Sequence, residues 1–212
     1  MACKFCEIGA GRYKNEIDRP IIESADYFAV SSIGGFVPGW TLVFPKEHKF
    51  NMSGDYRNPS LHEFLRKVTA VVSKEYGRCV HFEHGAAKMD SQTGCGVNHG
   101  HFHIVPFSKS IETLATLHHA DYGWKNVLAG DIENRCNGTE YLFCSDGFGA
   151  AELTGLLSIL DNSESQFFRK LIASAIGLDS LYDYKKYRFE ELSADTSIRL
   201  RNCFTSADTT AA

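Results

Sequence analysis

Three histidines at alternate positions, in Asn98-His99-Gly100-His101-Phe102-His103-Ile104-Val105-Pro106, constrain this chain more than any other stretch. Successive side chains of an extended strand point to opposite faces. The spacing therefore predicts a strand with His99, His101 and His103 on one face and Gly100, Phe102 and Ile104 on the other. Histidine titrates near neutrality and its free nitrogen serves as a metal ligand or a nucleophile, so a row of three is costly to keep without a use. An affinity tag would be terminal and uninterrupted, whereas this run is internal, interleaved with other residues and closed by Val105-Pro106. A functional reading is preferred to a merely histidine-lined surface strand.

The segments around that strand supply a sheet and a helix. Ala25 to Ser31 is aromatic and β-branched enough for a strand, with a turn at Gly34-Gly35. A second turn at Pro38-Gly39-Trp40 leads into a strand at Thr41-Leu42-Val43-Phe44, stopped by Pro45. Asn58-Pro59-Ser60 opens an amphipathic helix in which Leu61, Phe64, Leu65, Val68, Val71 and Val72 recur at helical spacing, ending near Tyr76-Gly77. Cys79 to His84 alternates as a strand, and a polar loop from Gly85 to Gly96 leads into the histidine run. Residues 1–107 thus read as an α+β unit, a helix packed on an antiparallel sheet. Residues 108–204 read as an α/β extension packed on that core, with helices at Ile111 to His119 and Gln166 to Ile176 and a strand at Tyr141 to Cys144; residues 205–212 read as a flexible tail.

With 212 residues, 43% of them hydrophobic, the chain can bury a substantial core. A net charge of -4 and no long Lys/Arg block argue against binding to polymeric nucleic acid, so any anion held is small. No apolar run reaches the roughly 18 residues of a membrane span, and Met1-Ala2-Cys3-Lys4 lacks the regions of a signal peptide, which predicts a cytoplasmic protein. Seven cysteines there favour free thiols or metal ligands over disulfides.

Cys3-Lys4-Phe5-Cys6 alone has three readings: half a zinc site, a redox pair, or chance. The redox reading expects a preceding strand, for which there is no room. Zinc needs two more partners, and His48 and His99 are the candidates. If the sheet brings the end of the second strand beside the start of the histidine strand, Cys3, Cys6, His48 and His99 close a structural site with four protein ligands.

His99-Gly100-His101-Phe102-His103-Ile104-Val105 matches the His-x-His-x-His signature of the histidine triad nucleotide-binding proteins, and Phe36 to His48 resembles that family's Pro-Gly turn, second strand and Pro-x-x-His ending. The amino-terminal Cys-x-x-Cys resembles that of its zinc-binding members, in which the ligands correspond to Cys3, Cys6, His48 and His99. The resemblance spans residues 3–107 and implies the family's fold, a structural zinc ion, a homodimer and a nucleotide or dinucleotide substrate. It implies that His101 attacks the α-phosphorus to form a nucleotidyl-imidazole, with its second ring nitrogen held by the backbone carbonyl of His99. His103 would meet the phosphate or leaving oxygen as a positively charged donor, and Gly94-Cys95-Gly96 would present backbone N–H groups to the phosphate.

This chain departs from many relatives in carrying Ser32 where they have Asn, Cys95 where they have Gln or Ser, and Trp40 where they have His after Pro-Gly. Ser32 and Cys95 are nevertheless placed among the substrate contacts. The function implied is a nucleotide hydrolase cleaving a phosphoanhydride, phosphoester or phosphoramidate; the alternatives are a nucleotidyltransferase or phosphorylase with the same intermediate, a non-catalytic binding module, and a multi-histidine metal site. His84 is evenly balanced between the site and solvent, His118-His119 diverge too far to chelate together, and Arg169 reads as part of a solvated basic helix face rather than a phosphate contact.

Overall fold

Asn58 and Pro59 start the helix on which the sheet is built: the Asn58 side chain accepts the Ser60 backbone N–H at 3.0 Å, and Pro59, which has no N–H to leave unpaired, occupies the first turn. The computed structural model describes residues 3–94, 96–149 and 152–209. Its helices are α1 (Lys4–Gly9), α2 (Pro59–Tyr76), α3 (Ile111–His118), α4 (Ile132–Cys136), α5 (Phe167–Ala175) and α6 (Glu190–Thr209). Its strands are β1 (Ile22–Glu23), β2 (Tyr27–Ser31), β3 (Thr41–Pro45), β4 (Cys79–Gly85), β5 (Phe102–Pro106), β6 (Lys125–Leu128), β7 (Tyr141–Ser145) and β8 (Thr154–Ile159). No helix among the described residues is long and apolar enough to cross a membrane.

All eight strands form one antiparallel sheet in the order β1-β2-β3-β5-β4-β7-β8-β6, so the molecule is α+β. The three strands that follow position 107 continue this sheet from the free edge of β4, where β7 pairs from His81 with Ser145 to Gly85 with Tyr141. Alternation sorts the strands into two faces. Tyr27, Ala29, Val43, Phe102, Ile104, Tyr141 and Phe143 pack under the Leu61, Phe64, Leu65, Val68 and Val72 stripe of α2. Each of those five α2 side chains contributes roughly 1.5–3 kcal/mol on burial. Trp40, Val80, Phe82, Val105, Leu142 and Leu156 form the other face, covered by Phe167, Phe168, Leu171 and Ile172 of α5.

The histidine strand is shorter than its spacing predicts. Only Phe102 to Pro106 ladder with neighbours; His99, Gly100 and His101 precede the strand. Gly100 N–H instead donates to Lys49 O at 2.6 Å, and a Cβ there would stand 2.7 Å from the N, Cα and C atoms of Asn51, so the chain after β3 takes the place of a strand partner. The segment expected as a tail at 205–212 is helical as far as Thr209, and residues 210–212 lie outside those described. Helix α6 buries Ser193, Thr196, Ser197, Leu200 and Phe204. It ties the carboxy-terminal segment to the turn after β2, with Ser193 Oγ donating to Ser32 O at 2.6 Å and Gly39 N–H donating to Thr196 Oγ1 at 3.2 Å.

Candidate functional site

Cys3 immediately precedes α1 and Cys6 lies in its first turn, a three-residue spacing that puts both thiols on one side. His48 follows the end of β3 and His99 precedes β5, and because β3 and β5 are paired these two ends meet. One donor atom from each of Cys3, Cys6, His48 and His99 lies within 4.8 Å of the others, the one such group of this kind found among the described residues. Cys3 Sγ is 3.4 Å from His99 Nδ1, Cys6 Sγ is 3.4 Å from His48 Nδ1 and 3.7 Å from His99 Nδ1. Tetrahedral zinc with bonds near 2.0–2.3 Å has ligand-to-ligand edges of roughly 3.3–3.8 Å. His99 Nε2–H donates to Pro45 O at 2.8 Å, which leaves the Nδ1 lone pair facing the thiols, the usual outer support of a ligating imidazole. Burial, then the neighbouring Cys3, pushes the Cys6 thiol up to about 11, so without a cation beside it Cys6 stays protonated. Two thiols and two imidazoles are compatible with zinc.

Beside this cluster a cavity of about 850 Å³ opens on His101, His103 and His84. His101 Nδ1–H donates to His99 O at 2.9 Å, so its Nε2 carries the lone pair. The ring stacks on Phe44 with centroids 5.1 Å apart, and Phe44 itself stacks on Phe5 of α1 at 4.0 Å. Burial pushes His101 down to about 4, which keeps it neutral and nucleophilic at pH 7.

His103 is held in the tautomer opposite to that of His101. The indole N–H of Trp40 donates to its Nδ1 at 3.0 Å, and Phe82 stacks on its other side at 4.2 Å. Indole can only donate, so Nδ1 must accept and the proton sits on Nε2, which is buried with no partner among the described residues. Burial, then the charges of His101, His84 and Arg169, holds His103 well below the usual histidine range. The positively charged donor expected at this position is therefore corrected to a neutral one, because Trp40 occupies the nitrogen that a second proton would need.

His84 resolves toward the site. It lies on the same β4 face as Phe82, is 5% exposed, and lines the cavity. Arg169 is also inside: it is 3% exposed, its guanidinium carbon lies 4.7 Å over the Trp40 ring, and Nε–H donates to Tyr182 O at 2.8 Å. The solvated helix face expected for Arg169 is overturned by α5 turning that side onto the sheet. Among the remaining expected contacts, Ser32 and Gly96 line the cavity. Gly94 stands back from it, where a Cβ would meet Ala86, and Cys95 lies outside the described residues. Among the described residues His118 and His119 join no metal group; His119 packs on Phe167. Trp40, noted in the sequence only as a departure, carried no signal of its contact with His103, because that contact depends on the turn before β3 folding over β5.

No protein-family model and no curated protein matches the chain. Among solved structures it is similar to a Hit-like protein involved in cell-cycle regulation from Bartonella henselae, with 23% identity, 51% of this chain and 78% of that one covered, and a TM-score of 0.41. It is also similar to a Zn-bound histidine triad family protein from Mycobacterium smegmatis (23% identity, 53% and 79% covered, TM-score 0.36). A member of the HIT family from Bacillus subtilis is a further one (23% identity, 57% and 85% covered, TM-score 0.41).

Proposed function

We infer that this chain is a histidine triad enzyme that cleaves a nucleoside phosphate bond through a covalent nucleotidyl-histidine on His101. The observation that carries the reading is the His101 imidazole itself: Nδ1 is tied to the His99 carbonyl, and the opposite nitrogen, with its lone pair, lines a cavity large enough for a nucleotide. In the first step the Nε2 lone pair forms a bond to the α-phosphorus while the bond to the leaving group breaks; in the second, water or another acceptor takes the nucleotidyl group from the imidazole. His103 Nε2–H, buried and with no partner among the described residues, supplies a hydrogen bond to the phosphate or the leaving oxygen as charge builds there. Ser31 and Ser32, with Val30, Ile33 and Leu42, offer two hydroxyls among apolar neighbours to the nucleoside end.

Cys3, Cys6, His48 and His99 are proposed to hold a zinc ion in a structural role, since four protein ligands would leave no open position for substrate. When bound, it would fix the amino-terminal helix and the His99 backbone. Turnover of a panel of nucleoside 5′-phosphate derivatives by the wild-type protein and by His101→Ala tests the reading. The expected result is loss of at least a thousandfold in the variant; activity that survives His101→Ala and vanishes on chelation would replace it with metal-assisted hydrolysis.

A further inference from the structure

Two imidazoles beside His101 are each held by a donor that cannot do anything but donate. Trp40 does this to His103, as described. The Phe168 backbone N–H, at the start of α5, does it to His84, donating to Nε2 at 3.3 Å. Nε2 of His84 is therefore an acceptor, its proton is on Nδ1, and no acceptor for that N–H is found among the described residues. The His84 and His103 ring centroids are 5.8 Å apart and those of His103 and His101 are 4.8 Å apart, so all three imidazoles line one end of the cavity. Placing a second proton on either His84 or His103 would set N–H against N–H.

The same end of the cavity is cationic. Arg169 lines it and its charge reaches both His84 and His103, while Arg188, elsewhere in the cavity lining, is paired with Glu190 at 2.7 Å. The carboxylate in the cavity wall, Asp18, is taken up by Lys4 at 2.6 Å. A leaving alkoxide or amine needs a proton as it departs, and a neutral imidazole N–H gives a hydrogen bond but no proton at neutral pH. A leaving phosphate needs none.

We propose that His84 is a substrate-binding residue whose Nδ1–H, with His103 Nε2–H and the Arg169 charge, binds an anionic leaving group, so that the bond cleaved is a phosphoanhydride. The inference rests on His101 acting as the nucleophile. The N–P bond forms from the His101 lone pair, the bridging P–O bond breaks, and the electron pair leaves on the departing phosphate, which the two neutral N–H groups hold by hydrogen bonds.

The test compares kcat/KM for three substrates that share the adenosine 5′-phosphoryl group: adenosine 5′-diphosphate, adenosine 5′-phosphoramidate and adenosine 5′-methyl phosphate. Adenosine 5′-(p-nitrophenyl phosphate), whose leaving group also departs without a proton, reports His101 chemistry separately. The expected order puts the diphosphate at least a hundredfold above the phosphoramidate and the methyl ester. His84→Ala is expected to lower the ratio of diphosphate to p-nitrophenyl turnover by about ten- to hundredfold. A phosphoramidate or methyl ester cleaved as fast as the diphosphate, while the p-nitrophenyl ester turns over through His101, overturns this inference alone. Absence of His101-dependent turnover of all four overturns the underlying reading with it. The wild-type comparison decides the matter even if His84→Ala does not fold.

Discussion

His101 hangs on the backbone of His99: its Nδ1–H donates to the His99 carbonyl at 2.9 Å, while the His99 ring stands in the cysteine and histidine cluster. One residue thus faces the candidate metal site with its side chain and the proposed nucleophile with its main chain. Phe44 adds a second link, packing on His99, on His101 and on Phe5 of α1.

Loss of the metal should therefore reach the chemistry. The protein as purified is expected to hold about one zinc per chain, and Cys3→Ser to lose most of it. Turnover should fall roughly ten- to hundredfold on zinc removal, as misplacement of a positioned group does. Metal analysis and steady-state rates on the same samples check this; a zinc content unchanged in Cys3→Ser contradicts the ligand assignment.

Gly100 is required by a neighbour rather than by its own backbone angles. The Cβ of Gly100→Ala would press on main-chain atoms of Asn51 at 2.7 Å, which cannot swing aside as a side chain would. A destabilisation of about 1–3 kcal/mol is expected from such overpacking. Urea unfolding measures it, and an unshifted midpoint would show that the 49–51 segment yields.

Trp40→Phe removes the donor that selects the His103 tautomer. Nitrogen-15 shifts of the His103 ring should change from a single Nε2–H form to a mixture, and kcat should fall about tenfold, more than KM changes. A single unchanged tautomer in the variant would mean that Phe82 stacking and burial hold the ring without Trp40.

Stability should fall in mild acid, in part through His81, which the proposed chemistry does not use. It is fully buried against Phe102 and Phe148, its Nε2 is 3.0 Å from Thr69 Oγ1, and burial pushes it from 6.5 down to about 4. Between those values the unfolded chain binds more protons than the folded one, so His81 contributes stability that is complete above pH 6.5 and is lost as pH falls toward 4, about 3 kcal/mol in all. Urea unfolding of wild type and His81→Leu at pH 7.5 and pH 4.5 isolates the term. The variant should lose less stability over that interval, and equal losses would contradict it.

What could be read along the chain was whatever depends on local period. The 3.6-residue recurrence of Leu61, Phe64, Leu65, Val68 and Val72 and the Asn58-Pro59 start give α2, and alternation gives β4. Helix α6 was hidden because its buried stripe is written partly in hydroxyls, Ser193, Thr196 and Ser197, which read as polar surface until Leu200 and Phe204 continue the same side. Strand β6, Lys-Asn-Val-Leu, buries only Val127 and offers too little apolar pattern to see. The grouping of Cys3, Cys6, His48 and His99 could be anticipated from the Cys-x-x-Cys, Pro-x-x-His and His-x-His-x-His spacings and the family resemblance, on the condition, met in the structure, that β3 and β5 pair. The contacts of Trp40 with His103 and of Phe168 with His84 could not, because each joins parts of the chain more than 60 positions apart through side chains that look like core.

The most direct measurement is of the bond to His101 itself. Protein mixed with an α-labelled nucleoside diphosphate and quenched in base, where phosphoramidates survive, should carry label on the peptide that contains His101, at full length and with turnover intact, and none in His101→Ala. Turnover without trapped label, or label retained in His101→Ala, would contradict the account.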